Sequence, residues 1–325
     1  MIFRLAEGLF TSDLARNVDL ITLLRSAALR GHTLLVVADP YGSSYAPSKV
    51  FEQWAASLSS PLQREMTWLF ERFCRIPSTA VTRGATTIAV KEPQASAEST
   101  KHIVLDVPEA VRLAALPLFV LVENALSDAA FIRRTMPLAW QRKIREWERA
   151  GAIRFEHAGG IGEMKRIVEH CSVNGSADPL GLGPEAWCCS HVLLSDRDSQ
   201  DHSGKPSREA ADLQRTCARA GMANQLHMLR RRDQESYLPS EALNAVVATK
   251  TDKKDRTDML NMLAAHSAIG PGRHHMPLPK IGDASWFKNA FLLHESSFIW
   301  EGAWFSQDGS GGEMVDLAEM LAAFI

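Results

Sequence analysis

The chain has 325 residues, 46% of them hydrophobic, with 36 Lys and Arg against 38 Asp and Glu. This is a globular composition, long enough for one large core or two modest ones, and the net charge of −2 gives no global electrostatic case for nucleic acid. The five cysteines (Cys74, Cys171, Cys188, Cys189, Cys217) are odd in number and contain no C-x-x-C pair, which argues against a disulfide framework and a structural zinc site.

MIFRLAEGLF lacks the apolar run of a signal peptide, and no apolar stretch reaches the length of a membrane span. A reduced, cytoplasmic protein with no membrane partner is therefore expected. Residues 18–31, VDLITLLRSAALRG, have helical spacing with a glycine at the C-cap position. HTLLVVADP (32–40) predicts a buried strand broken by Pro40. FEQWAASL and LQREMTWLFERFCRI predict helices, and TTIAVKEP (86–93) another strand. The small, polar stretch at 93–101 is the best linker candidate, placing a boundary near residue 100.

From residue 102 strands and helices alternate. HIVLDV is a strand, followed by a short helix with Pro108 at its start. LFVLVE (118–123) is a nearly continuous apolar strand, as expected when both faces of a sheet are covered. A helix opening at Ser127 is interrupted or restarted at Pro137. AIRFEHAGG (152–160) is a strand ending in two glycines, and IGEMKRIVEH a helix. WCCSHVLLSDRD (187–198) is a strand ending in acids, REAADLQRTCARAG a helix, and NQLHMLRRR (224–232) a fourth strand. No repeat is apparent. This alternation predicts right-handed βαβ units and a mainly parallel sheet. After 233 the chain turns helical and ends in MVDLAEMLAAFI. The expected division is an N-terminal α/β extension (1–100), a catalytic α/β domain (101–235) and a helical C-terminal region (236–325).

In a parallel sheet all strand C-termini point to one edge, where ligands bind. Glu123 ends one predicted strand, Gly159 and Gly160 another, and Asp196 and Asp198 a third. On an extended chain the alternation in D-x-D puts both aspartates on one side. Carboxylates crowded together repel, so one takes up a proton unless a cation sits among them. Oxygen-only ligands select hard cations, so one or two Mg²⁺ or Mn²⁺ ions are expected, completed by phosphate oxygens. The chemistry suggested is phosphodiester hydrolysis. Each acid alone has a plain alternative, a solvated strand end. The ordered combination of E-x₄-D, Gly-Gly and D-x-D is more specific.

Those residues resemble the Toprim domain of topoisomerases, bacterial primases and OLD-type (overcoming lysogenization defect) nucleases, over about 115–235. HMLRRRDQESYLPSEAL (227–243) is similar to the segment after the sheet in OLD-type nucleases, with Ser236 where Asn is commoner, and Asn124 replaces the usual glycine after the glutamate. The resemblance implies a Toprim-type parallel sheet flanked by helices and magnesium-dependent cleavage of DNA or RNA. It implies anti-phage defence, acting with an ABC- or SMC-like ATPase partner; a homodimer is compatible with it. By that resemblance Glu123 is a metal ligand or general base, and Asp196 and Asp198 are metal ligands. Asp128 is a secondary ligand, and Lys280 in HHMPLPKIGDASWF stabilises phosphate charge. The alternative is a non-catalytic nucleic-acid-binding or assembly subunit whose acidic patch holds a structural ion or docks a partner.

Other signals carry less. AGGIGEMK (158–165) lacks the full G-x-G-x-x-G of dinucleotide binding, although the helix start at 161, after Gly160, suits a backbone phosphate. SGKPS (203–207) lacks the upstream glycine of a P-loop. Cys188, Cys189 and His191 fit core packing, and His157 a structural role. Arg230, Arg231 and Arg232 suit either phosphate pairing or a solvated face. The aromatic residues near 286–305 suit a core better than base stacking. No zinc ribbon and no evident catalytic tyrosine support a primase or topoisomerase.

Overall fold

The computed structural model describes residues 1–10, 14–38, 49–73, 87–91, 103–174, 180–199, 201, 203–238, 243–244, 247–248, 251–276 and 310–325. The expected linker at 93–101, Lys280 and the aromatic stretch at 286–305 lie outside them. The chain folds as α/β, with two parallel-stranded sheets flanked by eleven α-helices among the described residues. It divides into two compact units. One comprises Met1–Leu118, His170–Ser190 and Met320–Ile325, the other Phe119–Glu169 and His191–Glu319.

The first sheet has the order β2-β1-β3-β4, with β1 Ile2–Ala6, β2 Thr33–Val37, β3 Thr87–Val90 and β4 Ile103–Leu105. β1 was not among the expected strands; Arg4, 4% exposed, interrupts its apolar run. β1 pairs parallel with both β2 and β3. Helices α1 (Leu14–Leu29), α2 (Lys49–Ser57), α3 (Ser60–Phe73) and α4 (Val107–Ala115) accompany it. α1 ends where Gly31 takes φ +76 and His32 N donates back to Ala27 O at 2.8 Å, a left-handed cap that glycine adopts without a Cβ clash. Because β4 pairs with β3, residues 103–115 belong with this first sheet and not with the second, as the expected boundary near 100 had it.

The second sheet has the order β6-β5-β7-β8, with β5 Leu118–Val122, β6 Ile153–His157, β7 His191–Ser195 and β8 Leu226–Met228. All five residues of β5 and of β7 are buried, which explains their continuous apolar runs. Asn124, not Ser127, caps the next helix, α5 (Ala125–Thr135); its side chain accepts from Leu126 N and Ser127 N. α6 (Leu138–Arg149) restarts after Pro137 and α7 (Ile161–Asn174) follows the glycine pair. Residues 187–190, expected in a strand, close α8 (Pro184–Ser190). Cys189 is nevertheless fully buried, and burial pushes the Cys188 thiol up to about 12. His191 opens β7 and stacks on Phe119 with ring centroids 4.9 Å apart, so packing accounts for it. α9 (Arg208–Arg219) is capped by Ser207.

β8 is shorter than the expected 224–232. Leu229 N makes a last bond to Ser195 O at 3.0 Å before the chain turns away into a 3₁₀ turn at Gln234–Tyr237. α10 (Lys253–Ala268), a 3₁₀ segment (Gly270–His275) and α11 (Gly311–Ala322) complete the described elements. No helix among the described residues is long and apolar enough to cross a membrane.

Candidate functional site

In a sheet of order β6-β5-β7-β8 the connections reverse direction between β5 and β7. In open parallel sheets such a switch point, at the strands' C-terminal ends, is the usual ligand position. Glu123 leaves β5 there and Asp196 leaves β7. Asp196 N donates to Glu123 Oε1 at 3.2 Å, so the Glu123 carboxylate reaches the backbone at the end of β7.

Asp196 is 8% exposed, and its Oδ1 has no hydrogen-bond partner among the described residues. Its pKa is raised well above the usual carboxylate range, first by burial and then by the charges of Glu123, Asp233, Glu235 and Asp128. A buried, unsatisfied carboxylate within the field of four other acids is costly, and it prefers either a proton or a cation. Among the described residues no three Asp, Glu, His or Cys side chains form a ready metal cage.

Two of the neighbouring acids are engaged by local hydrogen bonds. Asp128, 4% exposed, accepts from Asn124 N at 2.9 Å through Oδ2 and from Ser127 Oγ at 2.8 Å through Oδ1. It therefore locks the turn that presents Glu123. Asp233 accepts from Ser236 N at 3.0 Å and Ser236 Oγ at 2.6 Å, and pairs with Arg232 Nε at 3.2 Å. Burial still raises its pKa.

Asp198 is not in line with Asp196 on an extended strand. It adopts φ +51, a left-handed conformation that Asp tolerates better than most residues, and its side chain is 41% exposed, 4.0 Å from Arg232 Nη2. The cause is a crossing of loops: Arg197 N and Asp198 N both donate to Arg232 O, at 3.0 and 2.7 Å. Arg197 reaches Leu229 O and Gly204 O at 2.9 and 2.8 Å, tying the loops after β7 and β8 together.

Arg231 points inward. It is 7% exposed, donates to Ser236 O at 2.8 Å and lies over the Tyr237 ring, which takes it away from phosphate contact. Arg230 is exposed and pairs with Asp316 at 2.5 Å. Gly159 and Gly160 have φ of +89 and +112, values that exclude side-chain-bearing residues without strain; they turn the chain from β6 into α7. His157 is exposed at the end of β6.

Sequence reasoning missed Asp233 and Glu235. Their signal was the acid pair D-Q-E directly after the expected fourth strand (224–232), the same strand-end rule that singled out Glu123. Comparison with models of known families, with curated proteins and with solved structures returned no match to this chain.

Proposed function

We propose that the second unit is a Toprim-type domain that cleaves nucleic-acid phosphodiester bonds with Mg²⁺ or Mn²⁺. The observation that carries this reading is the buried, unpartnered Asp196 Oδ1 among Glu123, Asp233, Glu235 and Asp128 at the switch point. The donor set is all oxygen, which suits a hard divalent cation. Mg²⁺ is commonly held by one or two carboxylates and completed by water and substrate phosphate, so Glu123 and Asp196 alone would suffice as its protein ligands.

Glu123 and Asp196 would hold such an ion, with Glu235 beside them. Bound there, it would lower the pKa of a water and stabilise the leaving oxygen. Asp128 acts through Asn124 and Ser127, orienting the turn that carries Glu123. Action as an OLD-like defence effector with an ATPase partner belongs to the same proposal, as does a phosphate role for Lys280.

The test is cleavage of plasmid DNA and tRNA by purified protein with and without Mg²⁺ or Mn²⁺. Glu123→Ala is expected to abolish metal-dependent cleavage while the chain still folds. Full activity in that variant would overturn the site. A second reading, a non-catalytic subunit, is favoured by the way Asp128 and Asp233 already accept local hydrogen bonds. Wild-type protein that binds Mn²⁺ yet cuts neither substrate, alone or with its ATPase partner, would select it.

A further inference from the structure

The segment that brings Asp233 and Glu235 to the acidic edge is pinned by one buried acid far away in sequence. Glu313, in the first turn of α11, is 2% exposed. Its carboxylate accepts three hydrogen bonds from the stretch 227–237. Tyr237 Oη donates to Oε2 at 2.6 Å, Arg230 N to Oε1 at 2.7 Å, and His227 Nε2 lies 3.2 Å from Oε1. Burial pulls the Glu313 pKa up, but the bonds from His227, Tyr237 and Arg230 outweigh it and hold the carboxyl below its usual range.

Tyr237, fully buried, passes the constraint on. Its hydroxyl accepts from Arg231 N at 3.1 Å, and its ring meets Phe131 of α5 edge-on with centroids 5.4 Å apart. Arg231 in turn donates to Ser236 O, and Asp233 caps Ser236. Both ends of the 230–237 turn, and the helix that follows Glu123, thus lean on one phenol held by one carboxylate.

We propose that Glu313 and Tyr237 are positioning residues, a clasp through which α11 fixes Asp233 and Glu235 against Asp196. This rests on the acidic edge being a divalent-cation site. Buried groups that orient ligands characteristically change metal affinity when removed, whereas a hydrogen bond serving only the fold would not.

The test compares wild type, Tyr237→Phe and Glu313→Gln by Mn²⁺ titration and by amide exchange. Tyr237→Phe removes one hydroxyl and leaves the ring, so the chain is expected to stay folded. Its Mn²⁺ affinity should fall about ten-fold, and the Arg230 and Arg231 amides should exchange at least about ten-fold faster, while exchange in the first sheet stays as in wild type. Glu313→Gln keeps an acceptor for Arg230 N and should fall between the two. Leu213→Ala, a core change in α9, which contributes none of these hydrogen bonds, serves as the control: a comparable loss of melting temperature should leave Mn²⁺ affinity intact. If wild type binds Mn²⁺ and Tyr237→Phe binds it equally, the positioning role is overturned and the proposed function stands. A wild type that takes up no Mn²⁺ overturns the proposed function, and the clasp with it.

Discussion

The two sheets of this chain have the same strand order. In each unit the first strand lies inside, the second at one edge, and the third and fourth on the other side. Each therefore has a switch point between its first and third strands. In the first sheet β1 is followed by Glu7 and β3 by Lys91, charges of opposite sign, and the Asp106 carboxylate after β4 is used as the cap of α4, accepting from Glu109 N at 2.8 Å. In the second sheet β5 and β7 are followed by Glu123 and Asp196, and the turn after β8 adds Asp233 and Glu235. One architecture thus gives two different edges. The fold supplies the edge, and the few residues just past the strand ends decide its chemistry.

The sharpest way to break this comparison is acid. Asp196 has a folded pKa raised above its unfolded value of about 3.9. Between those two values the native state holds the extra proton, so the second unit gains stability as pH falls through that window and loses it as pH rises. His32 in the first unit works the other way. Burial lowers its pKa to about 3, below an unfolded value of about 6.5, so acid favours the unfolded chain from about pH 6.5 downward. Acidification of metal-free protein should therefore cost core amide protection in the first unit, whereas in the second unit Asp196 offsets the opposite pull of His266 and His275, whose pKa values burial lowers. Asp196→Asn should remove that offset in the second unit and leave the first unit unchanged. Each pH unit between the folded and unfolded pKa values is worth about 1.4 kcal/mol. The same variant should bind Mn²⁺ at least about 100-fold more weakly. Parallel pH responses in the two units would show that the carboxylate cluster does not distinguish them.

Glu123 and Asp196 were legible in the sequence because a continuous apolar run fixes a buried strand, and a strand end in a parallel sheet faces the ligand edge. Asp233 and Glu235 offered the same strand-end signal, one strand later, but the pose of Asp198 offered none. It depends on Arg232 O receiving two amides from the loop after β7, a long-range contact with no local pattern. The same distinction holds for the fold. β5 and β7 declared themselves, whereas α8 was hidden because Trp187, Cys188 and Cys189 continue the apolar run of β7. The inward turn of Arg231 was illegible because three consecutive arginines are identical on paper. Their fates are set by Asp316, by Tyr237 with Ser236, and by Ser199 with Asp233.

Glycines test the comparison at intermediate scale. Gly160 sits at φ +112, and the space a methyl group would take there has no other atom within 4 Å, so Gly160→Ala would be resisted by backbone strain alone. The expected loss is about 1–3 kcal/mol, confined to the second unit and measured by urea unfolding. Gly8, after β1, also has open space around it but no positive φ. Gly8→Ala should be neutral or stabilise slightly, since it narrows the unfolded ensemble. Equal losses at both positions would mean that the Gly159–Gly160 turn is not held in its strained conformation.

The smallest expected effect separates structure from function most cleanly. Asp106 and Asn124 are equivalent caps, each accepting at the start of the helix that follows a strand of its sheet. Replacing either by Ala should cost about 1 kcal/mol, because each leaves the helix's first amides to water. Only Asn124 stands next to a strand-end acid at the switch point, and its own amide is held by Asp128 Oδ2. Loss of its cap should loosen the turn that presents Glu123, whereas loss of the Asp106 cap touches no acid of the second sheet. The two variants should therefore melt alike, while Mn²⁺ affinity drops only for Asn124→Ala. Equal Mn²⁺ binding would mean that Asp128 alone keeps Glu123 in place, and that the cap at Asn124, like that at Asp106, serves only its helix.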